Sequence, residues 1–156
     1  YFNKLNKNNL SSQILSKMFA YNQARKDILE HEIKNLKIKK PKILIVGISY
    51  KKQSYSTTNS FFSGLLKNKD LNIKIFNDQY KKPILSNEKF IKDINDAKSF
   101  NIFIYNYSSA FHARKLKSLL SRSKNKYLIN VSFYNKGFFK GKNIKNLFAE
   151  EDKNIN

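Results

Sequence analysis

Short apolar runs alternate along the chain with segments in which apolar residues recur at helical spacing. The apolar runs lie at 43–46, 73–76, 101–105 and 127–131. The segments with helical spacing lie at about 58–68, 87–97 and 109–122. A short continuous apolar run is typical of a strand that is buried on both faces of a parallel sheet. The alternation therefore predicts right-handed βαβ units and a mostly parallel sheet with helices on both faces, which is a three-layer Rossmann-like α/β fold.

A long helix is predicted at about 11–36, before the first strand, with Ser11 or Ser12 as its N-cap. Most of its apolar stripe consists of Ile14, Met18, Tyr21, Ile28 and Leu29. At 1.5 Å per residue the helix would be roughly 35–40 Å long, which exceeds the needs of a small domain. Two interpretations follow. The helix packs against something beyond its own domain, such as a second copy in a homodimer, or it folds back on the sheet.

The composition fits one domain with a single moderate core. Residues 1–38 are predicted as a helical segment, 41–148 as the Rossmann-like domain, with a final short strand or helix at 140–148, and 149–156 as a frayed tail. No apolar run is long enough for a membrane span. The first residues do not resemble a signal peptide, and the absence of cysteine is compatible with a reducing compartment. The expected location is therefore the cytoplasm.

The formal net charge of +20 comes almost wholly from lysine, since only Arg25, Arg114 and Arg122 are arginines. Proteins that read nucleic acids usually cluster arginine and lysine, because the planar guanidinium binds phosphate and guanine at two points. Here the lysines are spread along every segment. The charge therefore predicts non-specific attraction to polyanions, and a dedicated basic nucleic-acid-binding domain is the third of three functional hypotheses.

The first strand and the turn after it are the leading candidate for a ligand site. Gly47 ends the apolar run, where a residue without Cβ lets the chain turn or approach another group closely. Lys51 and Lys52 follow, and Thr57 and Thr58 are among the residues that can cap the next helix. A helix N-terminus favours anions, so this pattern predicts a phosphate site. The alternative is that any βα unit in a lysine-rich protein has these features.

Other polar residues follow the second and third apolar runs, at Asn77, Asp78 and 106–109. Ligands of open α/β sheets lie beyond the carboxyl ends of the strands, so these residues belong to the same candidate rim. His112 lies near it, but no carboxylate stands at an obvious orienting position, and we assign no catalytic residue. His31 lies among charged neighbours without a second ligand. We therefore expect it on a solvated face and predict no metal site.

The segment 43–52 resembles the first strand and turn of the C-terminal, UDP-binding domain of the UDP-glucose/GDP-mannose dehydrogenase family. Gly47, Tyr50, Lys51 and Ser60 fall on positions that match the family pattern, and Ser54 is a tolerable match. Further segments that resemble this domain are 72–78, 96–98, 102–105, 127–131 and 140–142. Tyr21 and Asn22 resemble the end of the family's central helical domain, which carries dimer contacts. The resemblance covers most of residues 15–148.

The resemblance implies a UDP-sugar site made by Tyr50, Lys51, Lys52, Thr57, Thr58 and Ser60. The chain departs from the family pattern at charged positions. The motif's aspartate falls on Ser56 and its arginine on Thr58, the aspartate after the second strand falls on Asn77 or Asp78, and the one after the fourth strand on Asn130. Loss of a two-point arginine contact typically removes about 1.5–3 kcal/mol of binding free energy.

Enzymes of this family consist of an NAD-binding domain, a central domain with a catalytic cysteine, and this third domain. The chain has no G-x-G-x-x-G loop and no cysteine, so it is not a complete catalyst and is expected to bind no cofactor itself. NAD is implied only for a full-length relative. Because the chain starts at Tyr1 rather than Met, we expect the missing domains in a longer product or in a companion chain. The competing hypothesis is a catalytically inactive Rossmann-like interaction or dimerisation module.

Overall fold

The computed structural model describes residues 10–48, 62–77, 89–132 and 137–148. Its elements are, in chain order, α1 (Leu10–Asn35), β1 (Lys42–Val46), α2 (Phe62–Lys67), β2 (Asn72–Phe76), the 3-10 helix η1 (Ile94–Ser99), β3 (Ile102–Tyr105), α3 (Ala110–Ser121), β4 (Tyr127–Asn130) and β5 (Ile144–Asn146).

The five strands form one sheet in the order β2-β1-β3-β4-β5, and all four neighbouring pairs are parallel. Strand β1, which lies between β2 and β3, is apolar from its second residue to its last, and those residues are buried on both faces. In the register, Ile43 stands opposite Ile73 on one side and Ile102 on the other. The predicted α/β fold with a long N-terminal helix is confirmed, and the sheet is parallel throughout.

Two apolar clusters cover the two faces of the sheet, because successive side chains of a strand point to opposite sides. Ile43 and Ile45 of β1 join one cluster, to which α1 contributes Leu29 and Ile33, together with side chains of α2. Leu44 and Val46 join the other cluster, together with side chains of η1 and α3. The structure thus has the three layers that the sequence predicts.

Helix α1 packs on the sheet with its C-terminal part only. Its three buried residues are Arg25, Leu29 and Ile33. The Arg25 guanidinium carbon lies 4.4 Å from the ring centroid of Phe148, and Glu32 forms a 2.5 Å ion pair with Lys145. By contrast, the apolar side chains Leu10, Ile14, Met18, Phe19, Tyr21 and Ile28 are exposed. The C-terminal part of the helix therefore folds back on the sheet, and packing of its first part against a second copy stays a prediction.

The α-helix predicted at 87–97 is wrong in its described part. Lys89 is in 3-10 conformation, Phe90 forms a parallel bridge with Ile75, and Ile94–Ser99 is a 3-10 helix. The side chain of Asp93 accepts a hydrogen bond of 2.8 Å from the backbone N–H of Asn95. That bond lowers the pKa of Asp93 below its ordinary value of 3.8. Such local side-chain bonds compete with the α-helix, which explains the difference.

The predicted N-cap at Ser11 or Ser12 is wrong, because both residues lie within α1. The other predicted boundaries lie close to the observed ones where the structure describes them. The strand predicted at 127–131 ends one residue earlier, and the segment 140–148 contains the short strand β5. The helix predicted at 58–68 is described from Phe62 onward. The predicted tail at 149–156 lies outside the described residues. None of the helices in the described ranges combines the length and the apolar character that a membrane span requires.

Candidate functional site

The order of the strands reverses at β1, which lies between β2 and β3. The order 2-1-3-4-5 is a common doubly wound arrangement, in which ligands bind beyond the carboxyl ends of the strands at the β1/β3 reversal point. In this chain Val46 and Tyr105 stand opposite each other at that point. The candidate site is therefore the rim formed by the residues that follow β1, β2, β3 and β4.

The segment after β3 passes directly over the end of β1. The carbonyl oxygen of Val46 accepts hydrogen bonds from the backbone N–H groups of Asn106, at 3.0 Å, and Tyr107, at 3.3 Å. Gly47 has a φ of +80°, and a Cβ at this position would lie 1.7 Å from the carbonyl oxygen of Tyr107. The sequence predicts a close approach at Gly47, and the group that approaches is the chain's own backbone.

Ser109 and His112 form a pair at the N-terminus of α3. Ser109 is the N-cap, and its hydroxyl lies 2.7 Å from Nδ1 of His112 and 3.4 Å from the His112 backbone N–H. The His112 ring also packs edge-on against Phe76, with 4.8 Å between the ring centroids. These contacts hold the imidazole over the end of β2, so His112 lies at the rim as the sequence predicts.

Asn130, where the predicted resemblance expects an aspartate, joins β4 to β5 through its side-chain amide. Its Nδ2 donates a 2.8 Å hydrogen bond to Oδ1 of Asn146 in β5, and its Oδ1 accepts one of 3.1 Å from the Ser132 backbone N–H. Asn130 is 1% exposed. The contact with Ser132 follows the Asx-turn pattern, which an asparagine two residues before a serine can suggest. The pairing with Asn146 has no such local signal.

The described part of the rim is polar and carries no carboxylate. Asn77 follows β2, Asn106 follows β3, and both are half-buried. Ser108 is buried beside Ser109. Amide and hydroxyl groups can donate hydrogen bonds to phosphate or sugar oxygens without repelling an anion. No group of three acidic, histidine or cysteine side chains that could hold a metal ion occurs among the residues described.

The residues predicted to bind the ligand, Tyr50, Lys51, Lys52, Thr57, Thr58 and Ser60, lie outside the described residues. The same holds for Ser54, Ser56 and Asp78. The residues that flank the segment 49–61 are described. Ile48 follows the carboxyl end of β1 and Phe62 begins α2, and both are buried in the cluster beneath α1. The predicted ligand residues thus follow, in sequence, the strand end that forms the reversal point.

Comparisons with protein-family models, with curated proteins and with solved structures give no match. The resemblance to the dehydrogenase family therefore stays a prediction. The structure establishes the fold of the chain, and a fold alone does not determine what a protein binds.

Proposed function

We propose that the chain is a UDP-sugar-binding domain, as a fragment or a diverged relative of the C-terminal domain of an NAD-dependent nucleotide-sugar 6-dehydrogenase. The observation that carries the proposal is the reversal of strand order between β1 and β3. Ligands of doubly wound sheets bind at such a point, and the segment with Lys51 and Lys52 follows β1 directly in the sequence. The resemblance of this segment to the family motif supports the same ligand class.

In the proposed complex, Lys51 and Lys52 contact the diphosphate as point charges, and the hydroxyls of Tyr50, Thr57, Thr58 and Ser60 donate hydrogen bonds to it. The described part of the rim favours an anion, because the polar side chains that follow the strand ends are amides and hydroxyls. None of them is a carboxylate that would repel the diphosphate. The missing motif arginine lowers the affinity about ten- to a hundredfold relative to a complete motif. Hydride transfer with NAD belongs to a full-length relative or to a companion chain.

Isothermal titration with UDP and with UDP-glucose tests the proposal. We expect measurable heat at millimolar ligand and a clear loss of affinity in Lys51→Ala/Lys52→Ala, because two phosphate contacts are removed. The matched control is Lys39→Ala/Lys40→Ala, which removes two exposed lysines that precede β1, at the opposite end of the sheet. Absence of heat, or equal weakening in both double variants, would contradict specific binding at the rim.

We propose as a second candidate that the chain is a dimerisation module that pairs through α1. Several apolar side chains of the helix are exposed, including Leu10 at 71%, Met18 at 55% and Ile14 at 50%. In a chain with 27% charged residues, the segment 10–24 contains a single charged residue, Lys17. A helical segment as short as 10–24 is marginal in water without packing partners. Two copies of a chain with net charge +20 repel each other least where they meet through this segment.

Sedimentation velocity tests this second candidate. We expect the wild type to form dimers and Ile14→Gln/Met18→Gln to shift toward monomers, because glutamine keeps the helix propensity but removes apolar contact area. Phe111→Gln is the control, since Phe111 is 60% exposed on α3 and lies away from α1. A monomeric wild type, or an equal shift in the control, would rule out pairing through α1.

A further inference from the structure

A basic groove runs between η1 and α3, on the face of the sheet opposite α1. It has a volume of about 550 Å³. Four cationic side chains line it, namely Lys98, Lys115, Arg122 and Lys126. Between them lie the aliphatic side chains of Ile94, Ala97, Leu116 and Leu119. None of the lining residues is acidic and none is aromatic.

The groove lies at the amino end of the sheet, remote from the rim. Lys98 precedes β3 and Lys126 directly precedes β4, so both belong to the edge at which these strands begin. The Lys126 ammonium donates hydrogen bonds of 2.6 Å to the carbonyl oxygens of Lys98 and Phe100. These bonds hold η1 against the start of β4. The groove therefore has a fixed wall at the amino end of the sheet, whereas the proposed nucleotide site lies at the carboxyl end.

We propose that this groove binds an acidic peptide segment of a partner protein, with carboxylates facing the four cations and an aliphatic side chain packed on Leu119. Charge complementarity identifies this partner, because four cations, from η1, α3 and the connection between α3 and β4, line one groove whose described lining contains no carboxylate. The half-buried Leu119 supplies apolar surface. A partner that bound only through its charges would leave this surface exposed to water.

The lining residues favour a peptide over a nucleic acid. Single-stranded nucleic acids bind where aromatic side chains stack with the bases, and the groove has none. Arg122 is its only guanidinium, whereas specific recognition of bases and phosphates relies on arginine. The aliphatic residues between the cations match leucine or isoleucine side chains of a peptide.

Fluorescence anisotropy with a labelled peptide of glutamate and leucine tests the proposal at moderate salt. We expect Lys98→Glu/Arg122→Glu to weaken binding roughly tenfold, which corresponds to about 1.4 kcal/mol. Both residues are exposed, so the fold tolerates the change. The matched control is Lys34→Glu/Lys39→Glu, which makes the same change of charge at two exposed positions outside the groove.

Two further measurements separate a specific site from general attraction. A peptide with serine in place of every leucine should bind several-fold more weakly, and the wild-type methyl resonances of Ala97 and Leu119 should shift during the titration. Equal weakening in both double variants, equal binding of the serine peptide or unshifted methyl resonances would each overturn the proposal. Tighter binding of oligothymidylate than of the acidic peptide would replace it with a nucleic-acid site.

Discussion

At the end of β1 one position has no room for a side chain. Gly47 has φ +80°, and a Cβ there would lie 1.7 Å from the carbonyl oxygen and 2.7 Å from the backbone nitrogen of Tyr107. These backbone atoms are held in place, because the Tyr107 N–H bonds to the carbonyl oxygen of Val46. The position requires glycine for two reasons, the left-handed backbone and the close approach.

We expect Gly47→Ala to lower the free energy of unfolding by about 3 kcal/mol or more, because the left-handed backbone alone costs 1–2 kcal/mol and the clash adds to it. Chemical denaturation measures the change. Gly137→Ala is the control, since no atom of the described residues lies within 4 Å of a Cβ at Gly137. Similar losses in both variants would show that Tyr107 moves aside easily.

The sequence predicts the structural role of a residue when that role depends on its neighbours in the chain. The glycine after an apolar run predicts the close approach at Gly47, but its partner Tyr107 lies sixty residues later and has no signal in the sequence. The position of His112 follows from the helix start at Ser109. The role of Asn130 depends on the pairing of β4 with β5, so the family pattern suggests a ligand position where the structure shows a buried amide.

Between β4 and β5 the amide of Asn130 links the last two strands of the described sheet. We expect Asn130→Asp to lower the free energy of unfolding by about 1–3 kcal/mol at neutral pH, because a carboxylate oxygen would replace the donor that faces Oδ1 of Asn146. Burial raises the pKa of such a carboxyl in the folded state. The loss should therefore be small in acid and grow as the pH rises through the unfolded value of about 4.

Denaturation curves at acid and neutral pH measure this loss. Asn72→Asp is the matched control, since it makes the same change at an exposed position at the start of β2. Its effect on stability should be small at both values of pH, because an exposed carboxylate keeps its hydration. A pH-independent loss in Asn130→Asp would mean that the carboxylate reaches solvent or another donor.

At the scale of elements, hydrophobic periodicity predicts the long helix and the strands β1 to β4, since burial on two faces leaves a continuous apolar run. The fifth strand, β5, is short and largely exposed, and the sequence leaves its segment open as a strand or a helix. The predicted helix at 87–97 shows where periodicity fails. Phe90, Ile91 and Ile94 have helical spacing, yet Phe90 pairs with Ile75 and the Asp93 side chain begins a 3-10 turn. Pairing with a strand and a side-chain hydrogen bond both compete with the helix here, and the spacing of apolar residues reveals neither.

Across the whole molecule, three surfaces differ in character. The described part of the rim is polar without carboxylates, the groove beside α3 is basic with aliphatic residues between the charges, and the first part of α1 is apolar with one charge. The rim lies at the carboxyl end of the sheet and the groove at the amino end. The proposed nucleotide and the proposed acidic peptide would therefore occupy opposite ends of the sheet.

The net charge of +20 attracts polyanions to the whole surface of the molecule, because the 31 lysines and arginines are distributed along the chain. We expect duplex DNA to bind at low salt without sequence preference, with an affinity that falls steeply as salt rises, because binding depends on release of counterions. Gel shifts at a series of salt concentrations measure this. Lys98→Glu/Arg122→Glu and Lys34→Glu/Lys39→Glu should weaken DNA binding equally, since each removes the same charge, whereas only the former should weaken the acidic peptide. A preference for one DNA sequence, or affinity that persists at physiological salt, would instead indicate a dedicated nucleic-acid site.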